Sequence, residues 1–362
     1  MVVVWLGYTY LDKPKESVLT EPVKVGVIIP ESGVAAYYGG QAKKGIEMAK
    51  EEILVEYPKA KFETFYEDSQ YNPKIGVDAY NKLRVTNKLD GVITAATHVS
   101  VPIIPLTTED KVVQMAIFAS GAPYSKPDDL TFRISAASAL ETKVMADFIK
   151  DTGVKKVGII YLNNEFGISF KDAFKNDLAN NKSSTQIVAE EGFLVETSDF
   201  RTPLLKMKDN KADAVYIVGT AMHYANILKQ SREIGLKVQF IGMRAAEDPV
   251  LIKNAAQLAE GLVYTYSFDE NSGVPEAKKF AVRFREKYGV DPDGYAAEGY
   301  DGFKLLALAF INCGKDNTCV KSWLENLNDY KSVFGDIDFD NNGDIFYNFF
   351  LKTVKDGKFV KL

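Results

Sequence analysis

An alternation of short apolar segments with longer amphipathic ones constrains the fold of this 362-residue chain more than any other feature. The first unit spans residues 24–53 and begins with the run Val25–Ile29, which is too short and too β-branched for a helix. After Pro30, a turn of small residues leads into a helix with Ile46 and Ile53 on apolar positions. Ligands of open parallel sheets collect beyond the carboxyl ends of the strands, so this strand, loop and helix predict one ligand-facing corner.

The same alternation continues along most of the chain. Strands and helices that alternate at this spacing predict right-handed βαβ units and parallel sheets. Further strands are predicted at residues 61–68, 91–93, 112–118, 131–134, 156–161, 186–191, 214–218, 238–242 and 261–266. Further helices are predicted at residues 72–88, from Pro102 onwards, and at 140–152, 168–179, 200–210, 225–235, 249–256, 275–288, 296–312 and 320–327.

The pattern restarts at about residue 140, and the chain exceeds the size at which a single core keeps growing. We therefore predict an α/β protein of two Rossmann-like lobes with parallel sheets, joined by a three-crossing hinge, an architecture suited to closure on a ligand. Lobe 1 would comprise residues 23–137 and 268–335, and lobe 2 residues 138–267 and 336–362. Residues 1–22 are expected to be a tether or the remnant of a trimmed signal or anchor, with an ordinary N-terminal arm as the alternative.

Composition and motifs argue against several classes of function. A net charge of −5 and a pI near 5.4 leave no basic face for nucleic acid, and charges of both signs are mixed along the chain. No glycine-rich phosphate loop follows any strand. His98 and His223 fall on predicted strand-end loops of different lobes, where they could face each other, but no nucleophile motif accompanies them. We expect neither an enzyme nor a cofactor.

The two cysteines, Cys313 and Cys319, lie on either side of a short turn. A disulfide between them would favour an oxidising compartment, and a pair of free thiols is the alternative. A zinc site would need more ligands, and the histidines are distant in sequence, so we expect no metal site.

The segment 338–344 resembles the start of a calcium-binding EF-hand loop. Its twelfth position is Phe349 instead of a bidentate glutamate, and its flanks have the pattern of strands. A hairpin turn at Asn342-Gly343 is the better interpretation, and a second hairpin turn is predicted at Asp356-Gly357.

Aromatic residues at predicted strand ends are candidate ligand contacts. Tyr37, Tyr38, Tyr124 and Phe166 would each supply apolar contact area, and tyrosine adds a polar tip. Because the chain contains 19 tyrosines, surface packing is the alternative for any one of them.

Arg244 follows the predicted strand 238–242 and would lie at the mouth of a cleft. A guanidinium there could bind a carboxylate or phosphate in bidentate fashion. The alternative is a salt bridge with the neighbouring Glu247 or Asp248.

From Val23 to its end the chain resembles the type I periplasmic binding proteins, and most of all the leucine/isoleucine/valine-binding branch that serves ABC importers. No single motif carries the resemblance, which depends on the order and spacing of several. These motifs are Val25–Gly39, Tyr66–Asp68 with Asn72–Lys74, Asn163–Gly167, Thr197–Phe200, Gln230–Gly235, Glu298–Gly302 and Phe339–Asp344.

The resemblance implies a ligand held between the lobes and no catalytic residues. It places the aromatic wall of lobe 1 on Tyr38 and the polar loops that hold a carboxylate on residues 97–100 and 120–123. The implied ligand-binding residues are Tyr38, Thr97, His98, Ser100, Ser120, Gly121, Ala122, Phe166, Thr220, Ala221 and Arg244.

Three departures from the family pattern bear on the ligand. Amino-acid binders of this family carry Ser in the first polar loop and Ala-Thr in the second, where this chain has His98 and Ala122-Pro123. They place an acidic residue near the ligand ammonium, where this chain has Arg244. Since an arginine reverses the charge that the site accommodates, we predict an anionic or strongly polar small ligand.

The resemblance therefore implies an extracytoplasmic solute-binding protein, expected to be a monomer, that delivers a small molecule to an ABC permease. The alternative from a different class is a ligand-sensing domain of the same fold in a receptor or regulator.

Overall fold

The computed structural model describes residues 19–122, 124, 126 and 129–362. The predictions made for residues 1–18 and for Pro123 lie outside the described residues. Five strands form a first, wholly parallel sheet in the order β2-β1-β3-β4-β5. Its strands are β1 (Val23–Ile29), β2 (Phe62–Asp68), β3 (Gly91–Ala95), β4 (Val113–Ile117) and β5 (Thr131–Arg133).

A second sheet of seven strands has the order β14-β13-β10-β9-β8-β6-β7. Strands β6 to β10 are parallel, and β13 adds to their edge in the antiparallel direction. Its strands are β6 (Lys156–Leu162), β7 (Gln186–Phe193), β8 (Ala214–Val218), β9 (Gln239–Gly242), β10 (Val263–Tyr266), β13 (Phe350–Lys355) and β14 (Lys358–Lys361). The strands β11 (Tyr330–Ser332) and β12 (Gly335–Ile337) pair with each other in a separate two-stranded sheet.

Helices separate most of the parallel strands, as βαβ units require. The helices of the first half are α1 (Ala36–Glu56), α2 (Pro73–Thr86), α3 (Thr97–Ser100), α4 (Ile104–Asp110), α5 (Ser138–Thr152) and α6 (Glu165–Asn180). Those of the second half are α7 (Arg201–Asp209), α8 (Ala221–Glu233), α9 (Pro249–Ala255), α10 (Pro275–Tyr288), α11 (Gly294–Cys313) and α12 (Asn317–Glu325).

The chain passes between the two sheets three times, after β5, after β10 and after β12. The prediction of an α/β protein with two parallel-sheet lobes is confirmed. The predicted lobe boundaries at residues 137/138, 267/268 and 335/336 stay a prediction. The helices α10 and α11 pack against α1 of the first lobe, and α12 packs against α11, as expected.

Two glycines allow α1 and α11 to approach closely. A Cβ atom on Gly45 would lie 2.0 Å from the carbonyl oxygen of Ala296, and one on Gly299 would lie 2.4 Å from that of Ala42. No side chain fits at either position, so the backbones of α1 and α11 are in direct contact.

The structure corrects several local predictions. Residues 97–100, 165–167 and 221–223 were expected to lie in strand-end loops but belong to α3, α6 and α8. The turn at Asn342-Gly343 joins no paired strands, since it lies in the third crossing, whereas the β13–β14 hairpin at Asp356-Gly357 is confirmed. The predicted disulfide joins Cys313 to Cys319, with a Cα–Cα distance of 5.5 Å.

Among the described residues, no helix is both long and apolar enough to cross a membrane.

Candidate functional site

The strand ends of the two sheets face each other across a cleft that encloses a cavity of about 30 Å³. Such a volume holds a water molecule or two, so a solute the size of an amino acid requires the lobes or side chains to move apart. The cavity is lined by Pro30, Tyr38, Tyr71, Ala96, Phe118, Phe166, Gly219, Thr220, Met243, Arg244, Ala245 and Tyr295. This wall is aromatic and apolar, with a single guanidinium.

Tyr38, in the first turn of α1, connects the lobes. Its hydroxyl donates to the carbonyl of Ala245 at 3.0 Å and accepts from the backbone N–H of Ala221, the first residue of α8, at 3.1 Å. Its ring stacks on Tyr295 of α11, with ring centroids 4.4 Å apart. Tyr38 is therefore fixed on three sides at the place where the lobes meet. Its neighbour Tyr37 is bonded to Gln41 instead.

Arg244 projects from the short 3₁₀ turn Arg244–Ala246 after β9 and is 4% exposed. Its Nη1 donates to Oε1 of Glu298, and its Nη2 donates to Oγ of Ser120 at 2.7 Å. Burial lowers the pKa of Arg244, but the nearby acidic groups, Glu298 first among them, together outweigh burial and hold that pKa well above its usual value. The guanidinium therefore stays charged in the closed cleft.

The salt-bridge alternative predicted for Arg244 named the wrong carboxylates. Glu247 accepts from Tyr264 and Lys352, and Asp248 caps α9 by accepting from the N–H of Val250 at 2.8 Å. The partner of Arg244 is Glu298, 54 residues further along the chain. The cation at the cleft wall is therefore already neutralised from within the protein.

Glu298 is fully buried on α11 and accepts four hydrogen bonds. Besides Arg244, its Oε1 accepts from the hydroxyl of Tyr347 at 3.1 Å, while its Oε2 accepts from the N–H of Phe118 at 2.7 Å and from Oγ of Ser135 at 2.6 Å. Ser135 and Tyr347 lie in two of the three crossings between sheets. One carboxylate thus joins the cleft wall to the hinge.

Further buried carboxyl groups surround the cleft. Oε1 of Glu141 accepts from the backbone N–H of Arg244 at 2.9 Å and from Thr265 at 2.6 Å. Burial raises the pKa of Glu141 and of Asp248, and it raises the pKa of Asp293 to about 6. The carboxyl groups of Glu141, Asp248 and Asp293 therefore hold a proton more readily than carboxyl groups in water do.

The second polar loop of lobe 1 contacts the cleft through Ser120. Oγ of Thr97 accepts from the N–H of Gly121 at 3.0 Å, and the carbonyl of Gly121 accepts from Arg133 at 2.9 Å. The N–H of Ala122 donates to Oγ of Ser169 on α6 at 2.7 Å, which is another bond between the lobes. Of these residues, Ser120 alone bonds to a side chain of the cavity wall in the structure.

His98 and Ser100 are buried on α3 and lie behind the cavity wall. Nε2 of His98 is 3.0 Å from the carbonyl oxygen of Tyr71, whose ring packs against the imidazole, and Nδ1 has no partner. The carbonyl of Ser100 accepts from Gln114 at 3.0 Å, and its hydroxyl has no partner. Burial lowers the pKa of His98.

The lobe 2 candidates cluster at two helix starts. Phe166 lies in the first turn of α6 and Thr220 is the N-cap of α8, and both line the cavity. His223 completes a capping box with Thr220 and lies 2.9 Å from the carbonyl of Val195, so it does not face His98. Burial lowers the pKa of His223 as well.

Several wall residues were missed. Tyr71 and Phe118 follow the ends of β2 and β4, so the strand-end rule could have identified both. Tyr295 lies on α11, far in sequence from any predicted cleft loop, and no local signal marks it. Glu298 lies behind the wall; it begins the motif Glu298–Gly302, which contributed to the family resemblance, but nothing in that motif indicated a contact with Arg244. The described residues contain no cluster of three or more His, Cys, Asp or Glu side chains able to hold a metal ion.

The protein has two parallel-sheet lobes, which are joined by three crossings and meet at a cleft with an aromatic wall. This architecture is that of a two-lobed binding protein. A family model described as "Periplasmic binding protein" matches residues 22–358. The chain belongs to this family, as a type I periplasmic binding protein of the leucine/isoleucine/valine-binding kind. The family and fold are those of binding proteins rather than enzymes.

Individual proteins resemble the chain along most of its length. A Leu/Ile/Val-binding protein homolog 2 from Brucella abortus is 28% identical over 334 residues, which cover 89% of this chain and 87% of the relative. The crystal structure of the leucine-binding protein LivK from Thermotoga maritima superposes with a TM-score of 0.87 at 24% identity, covering 94% of this chain and 97% of that one. The crystal structure of an ABC transporter solute-binding protein from R. palustris in complex with benzoate superposes with a TM-score of 0.84 at 20% identity, covering 94% of this chain and 96% of that one.

Proposed function

We propose that this protein is an extracytoplasmic solute-binding protein that closes its two lobes on one small carboxylate-bearing ligand, amino-acid-like or a simple acid, and delivers it to an ABC importer. It acts as a monomer, and the membrane permease is its protein partner.

The observation that carries the proposal is the set of direct bonds between the lobes at the cavity. Tyr38 bonds to Ala245 and Ala221, and Arg244 bonds to Ser120 and Glu298. All these groups belong to the wall of one closed cleft or lie directly behind it. A ligand that replaces some of these bonds would hold the lobes together in the same way.

The wall chemistry supports a ligand with an apolar body and a carboxylate. Tyr38, Phe118, Phe166 and Tyr295 supply aromatic surface, which suits an aliphatic or aromatic group. Arg244 and the N–H of Ala221 at the start of α8 are donors for a carboxylate. The relatives named above include a leucine-binding protein and a benzoate complex, and both ligands combine these two parts.

The extracytoplasmic location is supported by the family and by the Cys313–Cys319 disulfide, because disulfides persist in oxidising compartments.

Native mass spectrometry of protein purified without unfolding tests the proposal. We expect a complex heavier than the chain by the mass of one small carboxylic acid, lost on unfolding and regained when that acid is added back. A protein that neither retains a small molecule nor is stabilised by L-leucine, L-isoleucine, L-valine, benzoate or 4-hydroxybenzoate would contradict it.

A further inference from the structure

The charge balance behind the cavity wall is set by a residue outside the wall. Among the described residues that line the cavity, Arg244 is the only charged one. Glu298 lies directly behind it with no exposed surface and accepts from its guanidinium. The wall therefore presents a neutral ion pair to a ligand rather than a free cation.

Glu298 cannot easily turn away from Arg244. Its two oxygens also accept from Tyr347, Phe118 and Ser135, so a rotation would leave buried donors without partners. Arg244 is restrained in turn by Ser120. A ligand carboxylate that reaches the guanidinium must therefore share it with Glu298.

We propose that Glu298 is the specificity-determining residue of the cleft: by neutralising Arg244 it selects ligands whose own net charge is zero and disfavours simple monoanions. The inference rests on the proposed function, and it decides between the two ligand types left open there. A monoanion would place a second negative charge on one buried guanidinium, which costs several kcal/mol where water is excluded. A zwitterion brings its own positive charge and avoids this cost.

The other buried carboxyl groups around the cleft act in the same direction. Glu141 contacts the backbone of Arg244, and Asp248 and Asp293 are buried close to the wall, beside Tyr38 and Tyr37 respectively. A bound anion would make it harder still for these carboxyl groups to ionise, whereas a bound cationic group would make it easier.

Glu298→Gln keeps the shape of the side chain and removes its charge. With calorimetry on L-leucine and benzoate, we expect the ratio of benzoate affinity to leucine affinity to rise by about tenfold or more in this variant. Asp301→Asn is the matched control, because Asp301 is buried one turn further along α11 and bonds to Ser332 away from the cavity. It should leave the ratio unchanged. An unchanged ratio in Glu298→Gln would overturn the proposal.

A second measurement needs no bound solute. Thermal unfolding is followed in sodium acetate and in sodium chloride at equal ionic strength. Acetate should raise the melting temperature of Glu298→Gln above its value in chloride, because Arg244 has then lost its internal carboxylate, and it should not do so for the wild type or Asp301→Asn. If acetate changes the melting temperature of Glu298→Gln and of the wild type equally, the proposal is overturned, even if the chosen solutes do not bind. If acetate stabilises Glu298→Gln selectively but no solute binds, only the proposed function is contradicted.

If Glu298→Gln does not fold, Arg244→Gln gives the reverse case. Glu298 then lacks its cation, so the melting temperature of this variant should be higher in ethylammonium chloride than in sodium chloride. Equal melting temperatures in the two salts would overturn the proposal.

Discussion

The hydroxyl of Tyr38 donates a 3.0 Å hydrogen bond to the carbonyl of Ala245, which lies 207 residues later in the other lobe. Because the same oxygen accepts from the N–H of Ala221, one phenol closes the cleft with both a donor and an acceptor function. Loss of this oxygen removes two bonds between the lobes and leaves both ring faces in place.

Tyr38→Phe should therefore favour the open form. We expect the affinity for a bound solute to fall by about 5- to 100-fold, since each buried hydrogen bond is worth roughly 1 kcal/mol and an unpaired buried group costs more. Calorimetry and small-angle scattering report the affinity and the lobe separation. Tyr37→Phe is the matched control, because the hydroxyl of Tyr37 contacts Gln41 and Asp293 and makes no bond to Ala245 or Ala221. Equal losses in the two variants would count against the role given to Tyr38.

The buried pair of Arg244 and Glu298 makes a prediction about stability. Arg244→Met leaves Glu298 buried without its cation and should lower the free energy of unfolding by about 3–5 kcal/mol. Arg244→Met with Glu298→Gln removes both charges and should recover much of that loss. Urea unfolding of the single and double variants measures the coupling, and strictly additive losses would show that the two side chains do not interact.

The contact between α1 and α11 predicts opposite effects for two glycines on α1. Gly45→Ala would place a methyl group 2.0 Å from the carbonyl oxygen of Ala296, so we expect a loss of about 1–3 kcal/mol or more. Gly40→Ala meets nothing within 4 Å and should be neutral or stabilise the helix by up to about 1 kcal/mol. Melting temperatures of the two variants check this, and similar values would contradict the packing described.

Asp301 should make stability depend on pH. Burial raises its pKa to about 6, so the folded state holds the proton more tightly than the unfolded chain. Its contribution to stability is fully present below a pH of about 4 and is lost as the pH rises through about 6. Asp301→Asn should remove up to about 3 kcal/mol of this dependence.

Urea midpoints at pH 4.5 and 7.5 compare Asp301→Asn with Asp336→Asn, whose side chain is exposed. The wild type should lose more stability on going to the higher pH than Asp301→Asn does. A pH dependence that is the same in both variants would contradict the assignment to Asp301.

The fold was largely predictable because it depends on local patterns. Apolar runs of strand length and amphipathic segments of helix length gave the order of the elements, and Asn72-Pro73 predicted the start of α2. The starts of α6 and α8 were placed too late, since the caps Asn164 and Thr220 lie in stretches whose small polar residues are typical of loops.

The site was predictable only where it follows strand ends. Tyr38, Phe166, Thr220 and Arg244, which the strand-end pattern and the family resemblance named as candidates, line the cavity, and their contact with a ligand stays a prediction. The partner of Arg244 was not predictable, because Glu298 lies within an apolar helix and a single sequence does not show which distant cation a buried carboxylate meets. This missing contact changes the expected charge of the cleft from positive to neutral.

The central claim is that a small carboxylate-bearing ligand binds between the lobes at Arg244. Isothermal titration calorimetry of the wild type and Arg244→Ala, with a panel of branched-chain amino acids and aromatic acids, tests it most directly. The account predicts one-to-one binding of at least one member of the panel and a loss of affinity of at least tenfold in the variant. Equal affinities in the two proteins would contradict the account.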